Sequence, residues 1–223
     1  MVSVVIAAWN EEKAIGKVLR ELKKAGYKDI IVVDDGSSDT TLEAAEKEGA
    51  TVLRHLINRG QGAALKTGID HAVSEGADII VTYDADGQFV ASEIKDLIRP
   101  IKEGKADIVL GSRFLGSTKN MPLSKRLILK LGVIFVWMLY RINVTDSQNG
   151  LRAMTREAAK KILITSDRME HAGEILHEIK RTKLKYMEIP VTVIYTDYAI
   201  AKGQSWSRSI SLGLRMLLRK MIR

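Results

Sequence analysis

Short apolar runs alternate with amphipathic stretches through the first 110 residues. The runs at 2–8, 29–33, 51–53, 78–83 and 106–110 are strand-length and rich in Val and Ile. Between the first two, residues 11–25 place Ile15, Val18, Leu19 and Leu22 on one helical face, and Gly26 stops the pattern. Further helices are expected up to about Glu48, over 61–74 and over 92–102. Apolar strands separated by helices of this length predict an α/β domain. Its sheet is mostly parallel and Rossmann-like, with helices on both faces. Such sheets bind ligands beyond the carboxyl ends of their strands. Trp9, Asp34, Asp35, Asp84, Asp86 and Arg113 all fall at those ends.

The pattern changes after residue 122. Residues 131–140 form an apolar run flanked by Lys125, Arg126, Lys130 and Arg141. It is too short to cross a bilayer, which takes about 20 residues. From Trp206 onward, Trp206, Ile210, Leu214, Leu217 and Met221 lie near one face, with Arg208, Arg215, Arg219 and Lys220 interspersed. Both stretches have the profile of amphipathic helices at a membrane interface. The expected organisation is a catalytic-type domain over 1–200 with an amphipathic helix at 122–142 inserted, followed by a basic amphipathic helix over 201–223.

Charge sharpens this division. The net charge is +8, yet 112–145 holds six basic residues and no acid, and the residues after Asp197 hold six more and no acid. Twelve positive charges in two stretches leave the rest about four negative. The basic residues are embedded in apolar segments and aromatics are only 5% of the chain, which argues against a nucleic-acid binder. Peripheral contact with an anionic membrane surface is the expected use. The absence of cysteine excludes disulfides, zinc-thiolate sites and a thiol nucleophile. Residues 1–6 lack the basic start and small-residue cleavage site of a signal peptide, so the expected location is cytoplasmic, on the inner face of a membrane. Nothing in the sequence identifies a membrane-anchoring partner subunit.

The candidate chemistry sits at the strand ends. Asp84 and Asp86 close an apolar run and are spaced so that both side chains point the same way. Paired carboxylates there suit a hard divalent cation, Mg²⁺ or Mn²⁺, that also carries phosphate oxygens. Asp34 and Asp35 close another strand, where ribose hydroxyls and base N–H groups are natural partners. The stretch Asn58-Arg59-Gly60-Gln61-Gly62 precedes a helix and allows close approach of a ligand. It is no P-loop, because Leu65 stands before Lys66-Thr67, and no G-x-G-x-x-G follows the first strand. Asp84-Ala85-Asp86-Gly87 is no calcium loop, since Lys95 occupies the position of the bidentate Glu. The lone Glu174-x-x-His177 reads as a helix face. Arg113 and Arg126 offer guanidinium forks suited to phosphate.

Six stretches in consistent order carry a family resemblance: residues 7–12 (AAWNEE), 32–39 (VVDDGSSD), 58–65 (NRGQGAAL), 84–88 (DADGQ), 111–114 (GSRF) and 146–153 (DSQNGLRA). The chain resembles the family 2 glycosyltransferases, in particular the dolichyl-phosphate mannose synthase branch. The resemblance implies a GT-A fold, a nucleotide-sugar donor (of GDP-mannose or UDP-glucose type), a divalent metal and a polyprenyl- or dolichyl-phosphate acceptor. Carried over by residue, Ala7, Trp9, Glu11, Val33, Asp34, Asp35, Arg59 and Ala85 would line the nucleotide-sugar pocket. Asp84 and Asp86, with Gln88, would hold metal and diphosphate. Arg113, Arg126 and Lys130 would face the acceptor phosphate. Asp86, Arg113 and Arg126 would carry the transfer. Departures are Ala7 and Trp9, where Pro and Tyr are usual, Gln61, where Lys is usual, and Tyr195-Thr196-Asp197, where a basic residue is usual. Lys202 is the nearest substitute for that last donor-phosphate contact. The competing reading is a glycosyltransferase of the same fold with a glycan, protein or small-molecule acceptor, which would need a catalytic base.

Overall fold

The computed structural model describes residues 1–196, Tyr198, Gly213 and 215–217. Lys202 and most of the stretch from Trp206 lie outside the described residues.

Seven strands form one sheet: β1 (Val2–Ala8), β2 (Asp29–Asp34), β3 (Thr51–Arg54), β4 (Ile79–Asp84), β5 (Ile108–Lys119), β6 (Arg152–Thr155) and β7 (Tyr186–Ile194), in spatial order β3-β2-β1-β4-β6-β5-β7. The four strands from β1 to β4 are parallel, as their α-helical connections require. β6 runs antiparallel between β4 and β5, and β7 pairs parallel with β5 at the sheet edge. The mostly parallel α/β architecture expected from the alternating pattern is the one observed.

Strand alternation divides the core into two layers. Val4, Ile6, Ile30, Val32, Val81 and Tyr83 face one, against α1 (Ile15–Lys24) and α4 (Ile94–Lys102). Val5, Ile31, Val33, Ile80 and Met154 face the other, beneath α3 (Gln61–Ser74) and α7 (His171–Arg181). The four residues placed on one face of α1 are all buried. The helix itself starts at Ile15, because the amides of Ala14 and Ile15 both turn back to the Glu11 carbonyl. α2 (Thr41–Lys47) and α6 (Arg156–Lys161) complete the covering of the sheet.

Two elements exceed or escape the sequence pattern. β5 continues to Lys119 through the polar stretch after Leu110, with a register break between Ser112 and Ser117. Those residues are a strand because β7 pairs with them. β6 is four residues long and has no run of its own.

α5 (Leu123–Tyr140) is the 18-residue helix expected at 122–142, and it ends on Arg141 in the left-handed region (φ 55°) with its guanidinium over the Trp137 ring. Only Leu129, Val136 and Leu139 of α5 are buried. Among the described residues no helix is long and apolar enough to cross a membrane. Of the C-terminal stretch, Met216 is buried against Gly173 of α7, and Arg215 pairs with Glu170 at 2.9 Å.

Candidate active site

Asp84 is seated from two sides. It ends β4 on the face of the second core layer, following Ile80 and Thr82. Its Oδ1 accepts a hydrogen bond from Gln61 Nε2 at 3.1 Å. Its carboxylate also lies flat against the backbone of Gly150, where any Cβ would overlap both carboxylate oxygens. Thr82 Oγ1 donates to the Gly150 carbonyl at 2.7 Å, tying that backbone to β4. Burial pushes the Asp84 carboxyl up, against the pull of Arg152, Arg113 and the Gln61 bond, while Glu11 adds to the rise. Asp86 is braced by its neighbour: Oδ1 accepts from the Gln88 amide (3.1 Å) and Oδ2 from Gln88 Nε2 (2.9 Å).

These two acids fit a diphosphate-borne cation. Among the described residues no third His, Asp or Glu joins them into a metal-binding group. Mg²⁺ typically takes one or two carboxylates and completes its shell with phosphate oxygens and water. The absence of a side chain at Gly150 lets the Asp84 carboxylate seat there.

The nucleotide-side residues divide into surface and scaffold. Trp9 is half exposed and presents an aromatic face at the end of β1. Glu11 lies close by; its backbone amide donates to Thr41 Oγ1 (2.7 Å) and its Oε2 accepts from Tyr198 Oη (2.8 Å). Val33 and Asp34, expected along the pocket, end β2 with their side chains turned inward. Both are fully buried: Val33 belongs to the core, and Asp34 accepts from the Ser37 amide and faces Arg54 at 3.5 Å. Asp35 is likewise spent on scaffold. It accepts from the Arg59 and Gly60 amides (3.0 and 2.6 Å) and from His55 Nδ1 (2.7 Å). It thereby fixes the 58–62 turn, where Gly60 adopts φ 120° and packs on the Asp167 carbonyl. Arg59 points outward to Asp167 at 3.4 Å. Ala7 is half-buried, and Ala85 is buried in the first core layer.

The cation side is built on Arg113. Its Nε and backbone amide donate to Asp146 Oδ2 (2.6 and 3.1 Å), and Nη1 donates to Tyr195 Oη (2.7 Å). Burial would lower the Arg113 pKa; the Asp146 charge and the Tyr195 contact reverse this and hold it above its ordinary value. Arg113 and Arg126 line a cleft of about 170 Å³ with Phe114, Gly116, Thr118 and Met121. Lys125 lies within reach of the Arg113 charge: burial first, and that charge second, push its ammonium below the ordinary lysine range. Lys130 is exposed further along α5 and does not line the cleft.

Four residues here were absent from the sequence-based site: Lys125, Asp146, Arg152 and Tyr195. Asp146 and Arg152 belong to the 146–153 stretch, but nothing in the spacing assigns them a task. Arg152 is buried on β6, opposite Thr82 and Leu110, and among the described residues its Nη1 has no hydrogen-bond partner. Burial pushes its guanidinium down to about 10, with Asp84 and Asp146 opposing the fall and Arg113 adding to it.

Comparison with known proteins agrees with this geometry. The chain is 37% identical to a UDP-N-acetylglucosamine–dolichyl-phosphate N-acetylglucosaminyltransferase of Methanococcus voltae, over 99% of this chain and 96% of that protein. It is 32% identical to a dolichol-phosphate mannosyltransferase of Pyrococcus furiosus, over 86% of this chain and 56% of that protein. Its fold matches glucosyl-3-phosphoglycerate synthase of Mycobacterium tuberculosis, crystallised with Mn²⁺ and UDP, with a TM-score of 0.75. That match covers 99% of this chain and 79% of the other at 18% identity, so it shows the GT-A-type fold alone. The family model for glycosyl transferase family 2 matches residues 3–163, the span that carries the strand-end acids, the Asp35-held turn and Arg113, and the chain belongs to that family of glycosyltransferases.

Proposed function

We propose that this protein transfers a sugar from a nucleoside-diphosphate sugar to a polyprenyl or dolichyl phosphate at a membrane surface. The observation that carries the reading is the pairing of two unlike sites. Asp84 and Asp86 end β4, while Arg113, Lys125 and Arg126 gather at the start of a helix whose outer face is apolar and basic. A nucleotide-sugar and a lipid phosphate are both anionic, and one cleft must hold each without mutual repulsion. The relative from Methanococcus voltae, matched over nearly the whole of both chains, supports a UDP-linked N-acetylhexosamine as donor.

Asp84 and Asp86 would hold Mg²⁺ or Mn²⁺, which supplies Lewis-acid neutralisation of the leaving diphosphate. Trp9 and Glu11 form the open face for base and ribose, and the Asp35-held turn shapes its wall. Arg113, oriented by Asp146 and Tyr195, draws the acceptor phosphate toward the anomeric carbon together with Lys125 and Arg126. The phosphate oxygen attacks from the face opposite the leaving group, so the reaction inverts. A phosphate monoester has a second pKa near 6 and is largely ionised at neutral pH, so no general base is needed.

Leu123, Leu127, Leu131, Ile134 and Met138 of α5 are all exposed, and the basic residues around them suit an anionic lipid surface. The test is a donor screen of UDP- and GDP-sugars with prenyl phosphate and Mg²⁺ or Mn²⁺, with product identified by mass. A glycosylated lipid phosphate with inverted anomeric configuration is expected. Transfer only to water-soluble acceptors would reject the lipid reading.

A further inference from the structure

Beside the Arg113 cleft lies a second depression, a groove of about 340 Å³. Val133, Ile134 and Trp137 of α5 form one wall, Val144 and Thr145 the other, and Glu188 of β7 lies at its edge. The groove offers little polar chemistry, despite that carboxylate. Glu188 accepts from the amide and hydroxyl of Thr145 (2.8 and 3.0 Å) and from the Asp146 amide (3.1 Å). Asn143 and Thr145 also line it, and the rest of the wall is hydrocarbon and indole.

Two observations say what such a groove receives. First, it is wired to the cation site: Thr145 Oγ1 lies 2.6 Å from Ser112 Oγ, and the next residue, Asp146, clamps Arg113. The wall of the groove and the guanidinium therefore belong to the same two short segments, 112–113 and 145–146. Second, Ile134 and Trp137 are part groove and part open surface, continuous with exposed Leu127, Leu131 and Met138. Around that row stand Arg126, Lys130 and Arg141, within a stretch that holds no acid. An occupant with an anionic head and a long apolar chain complements both.

We propose that the groove binds the hydrocarbon chain of the acceptor whose phosphate sits at Arg113, Lys125 and Arg126. The inference rests on the lipid-phosphate reading and adds to it a site for the chain. Along α5 the groove runs from Val133, roughly 10 Å past Arg126, to Trp137, roughly 16 Å past it. A two-isoprene acceptor anchored at the cations reaches no further than the near end of the groove, whereas a chain of ten or more units fills it. Chain-length discrimination is therefore the property the groove confers.

The experiment compares kcat/KM for a two-isoprene and a long-chain prenyl phosphate in the wild type, Val144→Trp and Ile134→Gln. Val144→Trp fills the groove; Ile134→Gln alters an exposed position that the fold does not depend on. Each variant is expected to lower kcat/KM for the long chain about tenfold, the effect of losing contact with about two methylene groups. The short acceptor should change by less than twofold. A long-chain acceptor carrying a photoreactive group along its chain should crosslink within 133–145. Equal loss on both acceptors, no loss in Ile134→Gln, or crosslinks confined to other surfaces would overturn the groove while leaving the lipid-phosphate reading standing. A wild type that uses prenyl phosphates of neither length overturns the reading itself and the groove with it. A dimer that hides Trp137 would show the groove to be an interface between copies, and would equally overturn its assignment to a lipid chain.

Discussion

The carboxylate of Asp84 lies flat against the backbone of Gly150, so closely that the position admits no side chain. Gly150→Ala should push Asp84 out of its seat without altering any charge. In the presence of nucleoside diphosphate, Mn²⁺ affinity measured by calorimetry is expected to fall about tenfold or more, the usual scale for disturbing a ligand's support. Binding of the nucleoside alone should not change. Unaltered Mn²⁺ affinity in a folded variant would show that the contact is only packing.

Asp86→Ala should abolish metal-dependent sugar transfer and keep the fold. Asp86 lies just past β4, partly exposed, and its carboxylate accepts hydrogen bonds from the amide and side chain of Gln88, two residues away. The melting temperature is therefore expected to stay within a few degrees. Residual transfer that still responds to Mn²⁺ would remove Asp86 from the metal site.

Lys125 and Arg113 are like charges brought together, which weakens the empty protein and suits an anion. Lys125→Ala should leave stability unchanged or slightly raised, while KM for the phosphate acceptor rises severalfold and kcat changes little. A drop in kcat at constant KM would instead place Lys125 with the transition state.

His171 is buried with its pKa lowered to about 4, chiefly by burial and then by the Arg152 charge. Its Nδ1–H donates to the Arg168 carbonyl at 2.8 Å, so the neutral ring is the folded form. The folded pKa lies below the unfolded value near 6.5. The unfolded chain therefore takes up the proton first, and stability falls as pH drops from about 6.5 toward 4. The full effect is roughly 3 kcal/mol at the acid end. Urea midpoints at pH 7 and pH 4.5 should differ less in His171→Gln than in the wild type. An equal difference would assign the acid loss to other groups.

Replacing Leu127 and Leu131 by Ser removes apolar surface from the outer row of α5 and touches no residue of the cleft. Co-sedimentation with anionic vesicles should drop several-fold, with nucleotide binding unchanged. Undiminished sedimentation would mean that α5 does not meet the membrane.

Legibility in the sequence followed the range of the forces involved. β1, β2, β4, α1 and α3 were readable because burial of one or both faces writes itself as a local period. α5 stood out for the same reason in reverse, through apolar residues set among basic ones without a single acid. β6 had no such mark. Its four residues are a strand only because β4 and β5 hold it on both sides. The extension of β5 to Lys119 depends on β7 in the same way.

At the site the division is sharper still. The identities of Asp84, Asp86, Arg113 and Arg126, and their places at strand and helix ends, follow from the order of residues alone, because ligand chemistry gathers where a parallel sheet ends. Which partners each strand-end carboxylate meets does not. Asp34 and Asp35 are adjacent at the end of β2, as Asp84 stands at the end of β4. Asp35 nevertheless accepts the amides of Arg59 and Gly60, more than twenty residues onward, and Asp34 is sealed beneath Ser37 and Arg54. Which basic residues of α5 lie near Arg113 likewise depends on the rotation of that helix against β5: Arg126 lines the cleft with it, and Lys125 feels its charge. Hydrophobic period and residue chemistry are local and were determined by the sequence. Hydrogen-bond saturation and charge proximity join residues far apart in the chain, and only the tertiary structure decided them.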